Sequence, residues 1–359
     1  MNAPQTPSRL LLILAAALTP LCAQTPLFTD GPAFGGSMVF SEGLNPLANS
    51  ARFSRPVPGW YFTYLDGDQR AQDNKSILQD AAGSDPAAVS AALNRLNDAP
   101  WATRTKAYGI AGVKDGVNFS YTRQELNSVL AQTDLDPTHL GSSAALAANG
   151  TLLQGCRNTV DRLSFGSSTS QNGIAAGGTL RIERWGQGLR IGALNPSFSL
   201  YPLGSVESSL MGFTQTDTKT LTYSMDAGFT AELGQGLRGG LTIDQINAKR
   251  LWQVDMKPQV RAGLQFDLGA SVSLSAETDL NSAERMPFPV KQQASSASLR
   301  FSSSPAVTFI LGAEKRKIGD NTVTRGGVTL QFRTASLLLG VGFQVGQDSP
   351  LKGASIMVN

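Results

Sequence analysis

The chain has 359 residues, a formal net charge of +3 and charged side chains at 16% of its positions. A positive charge this weak and dispersed excludes a nucleic-acid-binding surface. Only two cysteines are present, and the first falls within the leader described next, so no disulfide framework is expected.

Residues 1–23 are predicted to be a secretory signal peptide. Arg9 precedes an apolar run that ends near Leu21, and the small Ala23 is followed by polar sequence. The run is too short for a transmembrane helix. A lipoprotein anchor on Cys22 is the less favoured alternative, because Leu21 is bulky where a lipobox requires a small residue. The leader predicts export and, with the strands below, the outer membrane of a Gram-negative-type bacterium.

Residues 24–103 are predicted to form an irregular, plug-like N-terminal segment with one short helix. The part up to residue 59 is rich in Gly, Pro and Asn. A helix is expected at residues 85–99, capped by Ser84 or Asp85 with Pro86 in its first turn. Composition leaves two locations open for the irregular part, a plug inside a barrel lumen or a disordered periplasmic tail.

Residues 104–359 are predicted to form the barrel itself. Polarity alternates at nearly every position between residues 218 and 280, as in Leu221, Tyr223 and Met225 against Thr222 and Ser224. Successive side chains of a strand point to opposite faces, so these strands have one apolar and one polar side. No segment beyond the leader has the roughly 20 continuous apolar residues of a helical span. The predicted fold class is therefore all-β, a transmembrane antiparallel β-barrel of about fourteen strands.

The connections support a barrel because short and long ones alternate along the chain. Short turns are expected near residues 186–188, 234–236, 268–270, 303–305 and 333–335, with longer polar links between them. Bacterial barrels sort their connections in this way, with short turns in the periplasm and longer loops outside. Residues 127–160, which are partly rich in Ala and Leu, are predicted to be a helical insertion in the periplasm or the lumen.

No enzyme chemistry is predicted. The single histidine, His139, has no nucleophile motif nearby, and one histidine with one remaining cysteine cannot form a closed metal-ligand set. We expect no catalytic residue, no metal site and no cofactor.

The polar residues that alternate with apolar ones along the strands are candidates for the lumen wall. Their charges are of both signs. They could line a channel or a ligand path, or they could pair into a closed network that fills a narrow lumen. Mixed signs argue against a strongly ion-selective pore. The candidates are Arg181, Glu183, Asp226, Glu232, Arg238, Asp244, Arg261, Asp267, Glu277, Arg300 and Glu314.

Three segments resemble known families. Residues 36–53, GSMVFSEGLNPLANSARF with its Asn45-Pro46 turn, resemble the N-terminal motif of fatty-acid-transporter-like (FadL/PorV-like) outer-membrane barrels. Residues 256–284 and 296–316 resemble hairpins of the conjugal-transfer TraF-type family of outer-membrane proteins. The resemblance implies an outer-membrane protein linked to conjugation or to the passage of apolar small molecules, with Asn45 and Pro46 as a plug motif.

The leading functional hypothesis is a barrel that passes or binds apolar small molecules around a lumen plug, or that supports conjugation. A second hypothesis is an outer-membrane scaffold without transport, whose partners are secretion or conjugation proteins. A third is a β-rich surface or adhesion protein. The expected partners are outer-membrane lipid, apolar small molecules and secretion or conjugation proteins, with no nucleic acid.

Overall fold

The computed structural model describes residues 39–40, 58–70, 85, 87, 102–132, 152–193, 218–247, 250–252, 254–285, 288–318, 321–346 and 352–358. Every strand in this part of the chain belongs to a single antiparallel sheet. The strands are β1 (Gly59–Arg70), β2 (Ala102–Lys114), β3 (Val117–Gln132), β4 (Leu152–Gln171), β5 (Ile174–Ala193), β6 (Thr218–Gly234), β7 (Leu237–Asp244), β8 (Gln259–Asp267), β9 (Val272–Asp279), β10 (Ala283–Arg285), β11 (Phe288–Ser304), β12 (Val307–Ile318), β13 (Asn321–Arg333), β14 (Leu337–Gly346) and β15 (Lys352–Val358).

The sheet closes on itself. Consecutive strands pair with each other except β9 and β10, and β1 also pairs with β15, with Trp60 opposite Val358. The strands β9 and β10 both pair with β11, on either side of a short break, so they form one interrupted strand of the wall. The result is a closed antiparallel barrel of fourteen strands, which confirms the predicted fold class.

The two ends of the barrel differ in their connections. Three hairpins at one end have two-residue turns, Asp115-Gly116, Asn172-Gly173 and Gln235-Gly236, and both residues of each turn have positive φ. Such type I′ turns match the twist of the flanking strands. The four longest connections, β1–β2, β3–β4, β5–β6 and β7–β8, all leave the opposite end. We call these the short-turn end and the long-connection end.

The two faces of the wall have opposite chemistry. Along β6, Leu221, Tyr223 and Met225 are exposed, whereas Ser224 and Asp226, which alternate with them, are buried. In a closed barrel the buried side chains of a strand face the lumen, so the exposed apolar side chains that alternate with them face outward. This arrangement of an apolar outer band and a polar interior is typical of barrels that sit in lipid.

The wall begins earlier than predicted. The segment 24–103 was expected to be irregular, but it contains β1, so the barrel starts at Gly59 and not at residue 104. In β1, the outward residues Trp60, Phe62 and Tyr64 alternate with the inward residues Tyr61 and Leu65, which are fully buried. Because Tyr61 and Leu65 make the inner face mostly apolar, with Thr63 as its polar member, the strand lacks the clear polarity alternation of the other wall strands.

The predicted helical insertion at 127–160 is wrong at both of its ends, which are strands, and residues 133–151 lie outside the described residues. The strand β3 continues to Gln132 and β4 begins at Leu152, where the two pair in register. Pairing with two neighbouring strands outweighs the helix propensity of Ala and Leu in the residues concerned. The β3–β4 connection leaves the long-connection end and not the short-turn end. Residues 186–188, expected to form a turn, lie inside β5.

Several expectations fall mostly or wholly outside the described residues. These are the signal peptide at 1–23, the Asn45-Pro46 motif, His139 and most of the helix at 85–99. Within that helix, the backbone N–H of Ala87 donates to Oδ1 of Asp85 at 3.0 Å. Among the described residues, no helix has both the length and the apolar character needed to cross a membrane.

Closure predicts resistance to detergent. Every wall strand is hydrogen-bonded on both sides, so SDS has no open edge at which to begin unfolding the sheet. We expect the unboiled protein to migrate differently from the boiled protein on an SDS gel. Identical mobility of the two samples would contradict a stable closed wall.

Candidate functional site in the barrel lumen

The inner face is polar, and its charged side chains are paired. On β8 and β9, Nε of Arg261 donates to Oδ1 of Asp279 at 2.7 Å, and its Nη1 lies 3.7 Å from Oε2 of Glu277. The second oxygen of Asp279 accepts from Nε2 of Gln259 at 2.8 Å and from the backbone N–H of Ala294 at 2.7 Å. Arg261 and both carboxylates are buried, so this group holds three neighbouring strands together from inside.

A second group of pairs lies across β4, β5 and β6. Arg181 forms an ion pair with Asp226, and Arg162 forms one with the fully buried Glu183. The other oxygen of Glu183 accepts from Nε1 of Trp185 at 3.1 Å. Oδ1 of Asp226 accepts from the backbone N–H of Gln245 at 2.9 Å, which fixes the start of the β7–β8 connection.

The remaining candidate lumen residues also lie on the inward side of their strands, but they differ in solvent exposure. Asp244 and Glu314 are buried, and Oε1 of Glu314 accepts from Nε of Arg316 at 2.8 Å. Arg238, close to the short-turn end, donates to Oδ2 of Asp267 at 2.7 Å. Arg300 is half-buried on β11, and Glu232 is exposed beside the β6–β7 turn. Thus the pairs form a network along the wall, and the candidates near the short-turn end meet solvent.

Part of the N-terminal segment lies inside the lumen. Val39 and Phe40 are almost completely buried, and the backbone N–H of Val39 donates to Oε1 of Glu277 at 2.8 Å. They rest on Gly240 and Gly263, which are paired across β7 and β8. A Cβ atom at Gly263 would lie 2.9 Å from the Phe40 ring, and one at Gly240 would overlap the Val39 side chain. These two glycines therefore make the space that the segment occupies.

An apolar cluster lies toward the long-connection end of the same lumen. The β7–β8 connection folds inward and packs Leu251, Val254 and Met256 against Val160 and Trp185. Val160 and Trp185 are opposite each other on the inner face of β4 and β5. Leu251 and Met256 are fully buried. We call these five residues the mouth cluster. It places apolar side chains near the long-connection end of a lumen that is lined elsewhere mainly by polar residues.

Sequence reasoning missed several of these groups. Asp279, Arg162 and Arg316 lie on the polar phase of their strands and could have been found by extending the alternation to the strand ends. The mouth cluster could not be found in this way, because the chain between the turns at 234–236 and 268–270 is predicted to contain a longer polar link, which includes residues 249–256. In the structure, Leu251 and Val254 of this link are joined by two backbone hydrogen bonds, a contact that no alternation of polarity marks.

A closed wall, an apolar outer band, a paired polar interior and residues from the N-terminal segment within the lumen define an outer-membrane-type β-barrel. Solved structures of the same architecture are similar to it. The CymD monoaromatic hydrocarbon channel has a TM-score of 0.56 and 10% identity, over 93% of this chain and 97% of that one. The toluene transporter TodX of Pseudomonas putida has a TM-score of 0.52 and 11% identity, over 94% and 98%.

At these identities the likeness shows a shared fold alone. No protein-family model matches the chain, and no curated protein sequence matches it. The fatty-acid-transporter-like architecture is supported by these neighbours, but the conjugal-transfer TraF-type assignment is not. The segments that carry that second resemblance are β8 to β10 and the β11–β12 hairpin, where the wall geometry itself demands the alternating pattern.

Proposed function

We propose that the protein is an outer-membrane channel through which apolar small molecules pass. The observation that carries the proposal is the mouth cluster, because it places buried apolar side chains in the path between the long-connection end and the lumen. The long connections of bacterial barrels face the outside of the cell, so a solute that enters from outside would pass the mouth cluster. Two neighbours of the same fold are named for aromatic hydrocarbons, which supports this solute class.

The ion pairs support the same proposal. Arg261, Arg181 and Arg162 each have a carboxylate partner, so the wall presents few uncompensated charges to a solute. A channel for ions would instead need unpaired charge or rings of dipoles in its path. The proposal also takes the protein to be a channel and not an enzyme.

The test is uptake of radiolabelled toluene by Gram-negative cells that express the protein, compared with cells that carry an empty vector. We expect faster uptake with the protein. Replacing Leu251 with Asp should reduce the increase in uptake by about fivefold or more, because a carboxylate holds water that an apolar solute cannot replace and removes an apolar contact. The matched control is Ile246→Asp, in the same connection but 43% exposed and outside the mouth cluster.

The outcome separates the hypotheses. Uptake equal to that of the empty vector, with the protein heat-modifiable in the outer membrane, would contradict passage of apolar solutes. The scaffold or conjugation role would then be the better hypothesis, and it predicts co-purifying secretion or conjugation proteins. That role rests on the sequence resemblance of residues 256–284 and 296–316.

A further inference from the structure

A cluster of charged residues lies on the outer wall. It is at the edge of the apolar band that is nearer the long-connection end. Tyr108, Arg123, Asp161 and Arg184 lie in one row across β2 to β5, each opposite the next. The neighbouring outward residues on the short-turn side are apolar or aromatic. This row therefore marks a boundary between lipid-facing and polar surface.

Two arginines of the cluster are held in place by carboxylates. Nη1 of Arg123 lies 3.3 Å from Oδ1 of Asp161, and its Nη2 lies 3.0 Å from Oε1 of Glu125. The other oxygen of Glu125 accepts from Nη2 of Arg157 at 2.8 Å. The hydroxyl of Tyr121 donates to Asp161 at 2.9 Å. Arg157 is only 7% exposed although it points outward, so the cluster is built into the wall.

The cluster surrounds a hollow with an excess of positive charge. Arg123, Arg157, Arg184 and Lys219 line a hollow of about 230 Å³, together with the single carboxylate Asp161. Arg184 and Lys219 are exposed. Within the described part of the chain, no ion pair joins either of them to a carboxylate. They are therefore available to bind an anion from outside the protein.

The surface beside the hollow is suited to acyl chains. Exposed large hydrophobic residues of the outer face adjoin it: Leu221 lies opposite Arg184, and Leu163, Leu180 and Tyr223 lie toward the short-turn end. A ligand that follows this surface has an anionic head at the hollow and an apolar tail along the wall. Because long connections face the cell exterior, the hollow lies at the level of the outer leaflet.

We propose that the hollow binds the phosphate of a phosphorylated, multiply acylated lipid of the outer leaflet. Guanidinium groups bind phosphate oxygens in pairs of hydrogen bonds, and a lysine adds a point charge. Arg123 and Arg157, oriented by Glu125 and Asp161, would form the fixed side of the site. Arg184 and Lys219 would close on the phosphate from the opposite side.

The experiment is native mass spectrometry of the full-length protein in a non-ionic detergent, titrated with bisphosphorylated lipid A. We expect a bound lipid whose affinity falls about tenfold or more in the double variant Arg184→Ser/Lys219→Ser, because two charge-assisted contacts are lost. Arg184→Lys should retain more affinity than Arg184→Ser. The matched control is Lys315→Ser/Lys317→Ser, which removes two exposed outward lysines of the same end from β12.

Three results would overturn the proposal. The first is equal loss of affinity in the control variant, which would indicate nonspecific charge attraction. The second is undiminished binding of lipid A that lacks both phosphates, or displacement by inorganic phosphate at the same concentration as the lipid. The third is an acidic protein that co-purifies through Arg184 and Lys219 while lipid A does not bind. None of these results bears on toluene uptake, so this proposal fails or stands independently of the channel.

Discussion

Deletion of residues 25–58 is expected to raise the single-channel conductance of the barrel by about threefold or more, because a barrel of this size has a lumen wide enough to conduct once it is emptied. The reason lies in Val39 and Phe40, which are buried against the inner face and hydrogen-bonded to Glu277. The measurement is planar-bilayer recording of full-length and deleted protein, each shown to be heat-modifiable first. An unchanged conductance would contradict a plug.

A point variant tests the same plug without shortening the chain. Gly240→Val places a side chain where Val39 lies, and β7 cannot retreat because it is paired on both sides. The N-terminal segment must therefore move away, and conductance should rise toward that of the deleted protein. Gly239→Val is the matched control, since its new Cβ faces outward and meets only side chains, Leu233 at 3.1 Å and Leu264 at 3.9 Å. It should leave conductance unchanged.

Replacing Arg261 with Met is expected to lower the free energy of unfolding by about 3–5 kcal/mol, because breaking a buried ion pair leaves an uncompensated charge. Here two carboxylates, Glu277 and Asp279, lose their shared partner, and both are at most 5% exposed. Urea titration of the protein in detergent micelles, followed by intrinsic fluorescence, measures the change. A loss below about 1 kcal/mol would show that lumen water solvates these carboxylates.

The compensating variant makes this test specific. Adding Glu277→Gln and Asp279→Asn to Arg261→Met should recover most of the lost stability, because neutral amides no longer need the guanidinium. Arg184→Met, on the outer wall and exposed, is the control and should change stability by no more than about 0.5 kcal/mol. If the triple variant does not regain stability, the loss caused by Arg261→Met is due to the packing of the Arg261 side chain and not to its charge.

The alternation of polarity predicted most of the wall because the chemistry of its two faces differs. Where the faces do not differ, the prediction failed. In β1, Tyr61 and Leu65 face inward and are as apolar as the outward Trp60 and Phe62, so no alternation marks the strand. In the first part of β4, the sequence LLQGCRNTV lacks a clear period, and its conformation depends on pairing with β3.

The charged residues show a second limit. Alternation assigns polar side chains to the lumen, which agrees with the burial of Glu183, Asp226 and Glu277. Alternation does not identify Arg123 and Arg157, which are polar but face outward. The reason is that the position of the apolar band along each strand depends on the register between strands and not on local sequence. Contacts between distant segments, such as Val39 with Glu277, also leave no local signal.

The pairing of β1 with β15 has a consequence for how the protein is made. This seam joins residues from opposite ends of the described chain, so bringing its two strands together costs more loop-closure entropy than any hairpin. Hairpins can form as soon as their residues are available, but the seam must wait for the last strand, and topologies dominated by such distant contacts fold slowly. Until then both edge strands present unpaired backbone groups. Assembly must therefore pass through a sheet with two open edges, which needs protection from aggregation until the seam forms.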